Sequence, residues 1–456
     1  MSAASSNSRR AFLRLGAAGA AAGLAAACAA PIAPPVAVAP TAAPPAPTDT
    51  AATVASNTSP SVEATPVPSA ASTSTSTSAP APVPPDKRTL VVVQLSGGHD
   101  GLNAVVPYGD GLYYQLRPQI GIAADQVLHL DDRIGLHPNL TSFKALYDAG
   151  KLAIVQGVGY PNPNRSHFRS MEIWHSARPD GPAPTQGWLG AFVAEIYKSG
   201  DSPFQCVNFG TTIPQALQTS HAPVAALQDA GSFQFLVDRR LPNMKDPLLK
   251  TFGQMYGKPA RKTPALELVA NDWDTTARGV QTLSGLTEKY QPMAQYPNTP
   301  LAHTLQQVAQ MVASDVGTRV FYVQLGGFDT HANEKPAHAG LMTQLADSLQ
   351  AFQTDLEGHG RADQVLTMGF SEFGRRVKEN GSQGTDHGAA GPMFVLGSRV
   401  KGGLVGDHPD LQHLDDGDLR FGIDFRSVYA TVIEDWLGAS APDVLGATFE
   451  KLPLIA

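Results

Sequence analysis

Four short stretches carry side chains that could do metal or acid–base chemistry together: His99-Asp100, Asp329 with His331, Glu372, and Asp386-His387. Each lies beside an apolar, β-type run. Carboxylate oxygens and neutral imidazole nitrogens are the usual ligands of divalent metals. So much like charge gathered in one place is costly unless a cation neutralises it. Taken singly, each set has a plainer explanation as a turn cap or a hydrogen-bonded loop residue. Four sets at corresponding strand ends predict a metal centre. Mixed nitrogen and oxygen ligands suit zinc or manganese, with calcium admitted if oxygens dominate. Ser166 is a further candidate, because it stands where a helix starts after the turn Asn162-Pro163-Asn164. Unpaired N–H groups and a positive dipole end there suit an anionic substrate. Either Ser166 or Asn164 is simply the N-cap, or Ser166 is a nucleophile whose alcohol a nearby cation activates.

These residues need a frame that brings them to one edge. Residues 88–95, 152–156, 319–325 and 365–370 are continuous apolar or β-branched runs, as in strands buried on both faces. Glycine pairs follow two of them, in Gln94-Leu95-Ser96-Gly97-Gly98-His99-Asp100 and Gln324-Leu325-Gly326-Gly327-Phe328-Asp329. Another apolar run, 392–396, comes after His387. Helical periodicity marks residues 139–150, 186–199, 336–358 and 425–437. Strand, helix and strand in alternation predict an α/β domain: three layers, with a mostly parallel sheet flanked by helices. In such sheets ligands bind at the carboxyl ends of strands. Residues 211–315 carry weaker signals and read as a mostly helical insertion.

The N-terminal part has a different character. Residues 1–28 combine Ser8-Arg9-Arg10-Ala11-Phe12-Leu13-Arg14, a twin-arginine motif, with a short apolar run ending in Ala27-Cys28. That predicts export through the twin-arginine translocase, with Cys28 either a lipidated anchor or incidental to an ordinary cleavage site. The expected destination is the periplasm or a membrane surface. Residues 29–85 are almost entirely Ala, Pro, Ser, Thr and Val, which cannot bury a core and reads as a disordered, extended linker. Residues 86–456 then form the folded domain. The chain has two cysteines, and with one at the anchor position no structural disulfide is expected. A net charge of -7 and the lack of a basic stripe argue against nucleic-acid binding.

Five motifs resemble those of one bacterial family, domain-of-unknown-function family fifteen hundred and one. They are Ser96-Gly97-Gly98-His99-Asp100-Gly101-Leu102-Asn103, Arg165-Ser166-His167-Phe168, Gly327-Phe328-Asp329-Thr330-His331, Ser371-Glu372-Phe373-Gly374-Arg375 and Thr385-Asp386-His387-Gly388. More distantly, their order is similar to that of the alkaline phosphatase and sulfatase superfamily. That resemblance implies an alkaline-phosphatase-like fold. It implies Asp100 as a ligand and Ser166 as a nucleophile attacking phosphate or sulfate esters, with Arg165 and Arg169 holding the anionic oxygens. Asp100 and Glu372 would bind one cation. Asp329, His331 (or His338) and His387 would bind another, with Asp386 a ligand or an orienting group. Phe373 departs from the superfamily's Asp-His pair and puts the second metal in doubt. The rival expectation is a non-catalytic binding protein on the same fold.

Overall fold

Strand β1 (Thr89–Ser96) shows how the sequence builds the layers. Its residues alternate across the sheet, so Val91, Val93 and Leu95 enter one hydrophobic core while Leu90 and Val92 enter a second on the opposite face. Each such side chain contributes roughly 1.5–3 kcal/mol on full burial. Further along the chain come β2 (Val105–Val106), β3 (Leu128–His129), β4 (Gly135–Leu136) and β5 (Leu152–Gly159). They are followed by β6 (Cys206–Phe209), β7 (Ala225–Leu227), β8 (Val320–Gly326) and β9 (Val365–Phe370). The last are β10 (Gly391–Leu396), β11 (Gly403–Val405) and β12 (Ile423–Asp424). These elements belong to a computed structural model that describes residues 83–456 except 183, 199–200, 231–241, 257–262, 285 and 287–289. The expected export signal at 1–28, Cys28 and nearly all of the linker lie outside the described residues.

The main sheet has the order β11-β5-β10-β9-β1-β8-β6-β7, with β12 also paired to β5. Val91 of β1 stands opposite Phe321 of β8 and Thr367 of β9, both in parallel. Every pairing is parallel except those of β10, which runs antiparallel to both β9 and β5. The helices Thr141–Asp148, Pro300–Ala313 and Glu334–Gly358 supply side chains to one core. The helices His167–Ser176, Trp188–Ile196 and Phe425–Thr431 supply the other. The result is a three-layer α/β domain around a mostly parallel sheet. A small sheet, β2-β4-β3, stands apart from the main one.

Two differences from the sequence expectation matter for the site. Asp386 and His387 precede β10 rather than end a strand, and β10 runs antiparallel to its neighbours β9 and β5. They still reach the edge that carries the other sets, because the amino end of an antiparallel strand lies beside the carboxyl ends of its neighbours. The stretch 211–315 is also not wholly helical, since it contributes β7, which pairs in parallel with β6. Cys206 on β6 is a buried free thiol. Among the described residues no helix is long and apolar enough to cross a membrane.

Candidate metal centre

The loops after β1, β8 and β9 meet around one buried guanidinium, that of Arg375. Its Nε donates to the Gly98 carbonyl at 2.7 Å and its Nη1 to the Thr385 carbonyl at 2.8 Å. Its Nη2 donates to the Gly97 carbonyl, to the Phe328 carbonyl at 2.9 Å and to Asp329 Oδ1 at 2.6 Å. Close approach of these loops depends on glycine. Gly97 has φ +124°, and a Cβ there would lie 2.4 Å from the Asp329 backbone nitrogen. Gly98 has φ +80°, and a Cβ there would lie 2.3 Å from the Phe373 ring.

Asp329, thus fixed, is the focus of three imidazoles. Its Oδ1 lies 3.0 Å from His331 Nε2 and 3.1 Å from His387 Nε2, and its Oδ2 lies 3.5 Å from His167 Nε2. Each ring has its other nitrogen committed to an oxygen. His167 Nδ1 is 2.9 Å from Glu372 Oε1, His387 Nδ1 is 2.8 Å from the Arg165 carbonyl, and His331 Nδ1 is 3.3 Å from Asp386 Oδ1. A carbonyl can only accept, so His387 carries its proton on Nδ1 and turns a lone pair inward at Nε2. This is how outer oxygens orient metal-binding histidines. Zinc ligands at 2.0–2.1 Å and tetrahedral angles lie about 3.3 Å from one another, close to the separations found here. His167, Asp329 and His387 place one ligand atom each within 4.8 Å of one another. His331 joins them from one side, its Nε2 2.9 Å from His387 Nε2. The donor set is three nitrogens and a carboxylate, which suits zinc or manganese.

Phe373 packs against the rings of His167 and His387, with centroids 5.0 and 4.7 Å away, and walls the centre on that side. Partial burial raises the Asp329 carboxyl's pKa, but the hydrogen bond and positive charge of Arg375 outweigh that and hold it at about 2.

The remaining sequence candidates are placed elsewhere. Asp100 does not face the centre. Both its oxygens bind Arg117, at 2.5 and 2.9 Å, and the pair is sealed at 1% and 0% side-chain exposure. Burial raises the Asp100 pKa, yet Arg117 and a hydrogen bond with Glu334 bring it below the ordinary range. Glu372 is not a ligand here either. Its Oε1 accepts from the Gly97 N–H at 2.9 Å and orients His167, while its Oε2 lies 3.0 Å from Ser371 Oγ. Asp100 and Glu372 therefore have separate partners and do not form a shared cation site.

The Arg165 guanidinium is bound to Asp416 and Asp418, and that of Arg169 to Glu172 and the carbonyls of Pro179 and Gly181. Neither is free to grip an ester. His338, the alternative to His331, is buried against His99, with ring centroids 5.5 Å apart. Ser166 is exposed at the helix N-terminus, and its hydroxyl makes no capping bond. Asn164 Oδ1 accepts the Ser166 N–H instead. Its neighbours on both sides belong to the centre, Arg165 through its carbonyl and His167 through its ring. His167 is the residue that reading the sequence missed, although it sits inside the Arg165-Ser166-His167-Phe168 motif.

A mostly parallel sheet between two helical layers thus carries a histidine-and-aspartate cluster at the carboxyl ends of its strands. The chain belongs to the family described as "Protein of unknown function (DUF1501)", which matches residues 87–436. No curated protein matches the sequence. Solved structures similar to it include the PsFucS1 sulfatase from Pseudoalteromonas sp., at 12% identity and TM-score 0.35 over 80% of this chain and 70% of that one. A protein in the alkaline phosphatase superfamily from Vibrio parahaemolyticus is similar at 9% identity and TM-score 0.32, over 71% and 62%. The C-terminal periplasmic domain of EcEptC from Escherichia coli, in complex with zinc, is similar at 10% and 0.31, over 68% and 72%. All three are distant likenesses.

Proposed function

We propose that the protein is an exported, metal-dependent hydrolase of phosphate or sulfate esters with Ser166 as its nucleophile. The observation that carries this is the convergence of three oriented imidazoles on Asp329, one of them from His167, the chain neighbour of a serine whose hydroxyl makes no capping bond. His167, His387 and Asp329 would hold a zinc or manganese ion, with His331 as the fourth donor. Such an ion supplies positive charge that lowers an alcohol's pKa and stabilises developing charge on the ester. Ser166 Oγ then displaces the ester's alcohol, which leaves with the proton the hydroxyl gives up. Water afterwards releases phosphate or sulfate from the serine. The first-turn N–H groups of the helix His167–Ser176, unpaired within the helix as at any helix start, would hold the anionic oxygens. Glu372 keeps His167 turned toward Asp329. Delivery by the twin-arginine translocase and anchoring at Cys28 complete the proposal.

A non-catalytic binding protein in the periplasm or at the cell surface is the second reading. One observation favours it: the two arginines flanking Ser166 are already engaged. The test is metal content by mass spectrometry on the full chain, followed by assays on aryl phosphate and aryl sulfate esters. One equivalent of metal, lost in a His167→Ala/His387→Ala variant, with turnover abolished by Ser166→Ala, supports the hydrolase. Stoichiometric metal without turnover on either ester class leaves the binding reading. Failure to bind zinc, manganese or calcium at all sinks the hydrolase.

A further inference from the structure

A cleft of about 410 Å³ opens beside the imidazole centre, large enough for a small ligand. Arg165 joins the two, because its carbonyl holds His387 and it is one of the residues lining the cleft. The wall also carries Asn162, Asp415, Arg420 and Phe421. The side chains of Asn162, Asp415 and Arg420 are exposed. Phe421 shows 38% of its surface, and the chain after it is held to β5. The next residue, Gly422, donates its N–H to the Gly157 carbonyl at 2.8 Å, and β12 then pairs with β5. The Phe421 Cβ sits 2.8 Å from where a Cβ on Gly159 would stand, so the glycine admits the aromatic.

The chemistry of this wall narrows what it can hold. A polyanion would call for an excess of cations, but Arg165 and Arg420 are set against Asp415, Asp416 and Asp418. An apolar chain would leave the amide, carboxylate and guanidinium without hydrogen-bond partners. A hydroxyl-bearing ring answers all of them: each hydroxyl both donates and accepts, and its C–H face lies on an aromatic. We infer that the cleft binds an uncharged, polyhydroxylated sugar unit adjoining the ester that the centre acts on. The inference names the substrate class for the proposed hydrolase and rests on that reading.

The experiment is saturation-transfer NMR and calorimetry on the full chain in chelator, so that metal plays no part. The probes are maltohexaose, cellohexaose, chitohexaose and agarohexaose, with a heparin hexasaccharide as polyanionic competitor. At least one neutral oligosaccharide is expected to bind. Phe421→Ala should weaken that binding about tenfold, in keeping with the loss of a buried aromatic contact, and Asp415→Asn should weaken it several-fold. Lys144→Ala, in a surface ion pair with Asp148 and outside the cleft lining, should leave it unchanged. Absence of binding by all four, indifference to both cleft variants, or stronger binding of the heparin fragment overturns the inference. Sugar binding without metal or ester turnover would instead overturn the hydrolase and keep the cleft as a glycan site.

Discussion

Asp100 offers the sharpest test of what the strand-end acids are for. The structure makes it one half of a sealed ion pair, whereas a metal ligand would be exchangeable with solvent ions. In Asp100→Asn the shape is kept, but the Arg117 charge loses its partner inside the protein. Breaking one half of a buried pair costs about 3–5 kcal/mol, a large part of the 5–15 kcal/mol that holds a typical domain together. Unfolding entropy near 2.1 cal/mol/K per residue, over the roughly 370 residues from Val83 to Ala456, gives about 0.8 kcal/mol/K. The melting temperature should therefore fall by about 4–6 °C, read by calorimetry at fixed metal concentration. Metal content should not change. Adding Arg117→Met should recover part of the loss, because the orphaned charge goes with it. A variant that keeps its melting temperature but loses its metal would refute the assignment and make Asp100 a ligand after all.

Other perturbations follow from the same contacts. Glu372→Gln should weaken metal binding by about 10–100-fold, the usual cost of losing an orienting partner, with little change in secondary structure by circular dichroism; unchanged affinity would show that His167 is held by packing alone. Gly97→Ala places a methyl group against the Asp329 backbone at a φ that side chains avoid, and should cost at least about 1–3 kcal/mol together with the metal site, checked by denaturant titration and metal analysis. Glu334 is buried, first by desolvation and then beside Asp100, and its pKa rises from 4.5 to about 9. Its folded state holds the proton more tightly than its unfolded state, so its contribution is full below about pH 4.5 and disappears as pH rises through about 9. Glu334→Gln should flatten that alkaline decline in a melting series, and parallel curves for the two proteins would count against it.

Much of the frame was legible because burial on both faces leaves a strong mark. The run from Leu90 to Leu95 and the run from Val365 to Phe370 lack polar alternation, and both became central strands. The glycine pairs after β1 and β8 marked the turns that bring backbone against backbone. Direction left no mark of its own: Pro392-Met393-Phe394-Val395-Leu396 reads the same for either orientation, and only its pairing shows β10 reversed. The charge partners were illegible for a related reason. Arg117 lies 17 residues from Asp100, and Arg375 lies 46 from Asp329. No local pattern announces a guanidinium that must fold across such distances. His167 stood next to the residue that drew attention, Ser166, and had no strand end of its own. Its position in the first turn of a helix whose start faces the sheet edge was the available clue.

The electrostatics of the edge settle how many cations it has room for. Clustered acids demand positive charge, and the sequence alone leaves open whether metal or protein supplies it. Here the protein supplies most of it. Arg117 neutralises Asp100 in the interior, and Arg375 takes one oxygen of Asp329. Glu372 is spent on the Gly97 N–H and on His167. What remains open is the space among three imidazole Nε2 atoms and the outer side of Asp329, whose side chain is 48% exposed. A second divalent ion near Asp100 would have to displace a buried guanidinium. A single equivalent of metal is therefore expected at saturation. Two equivalents, with the second lost in Asp100→Asn, would mean that Arg117 swings out to admit an ion.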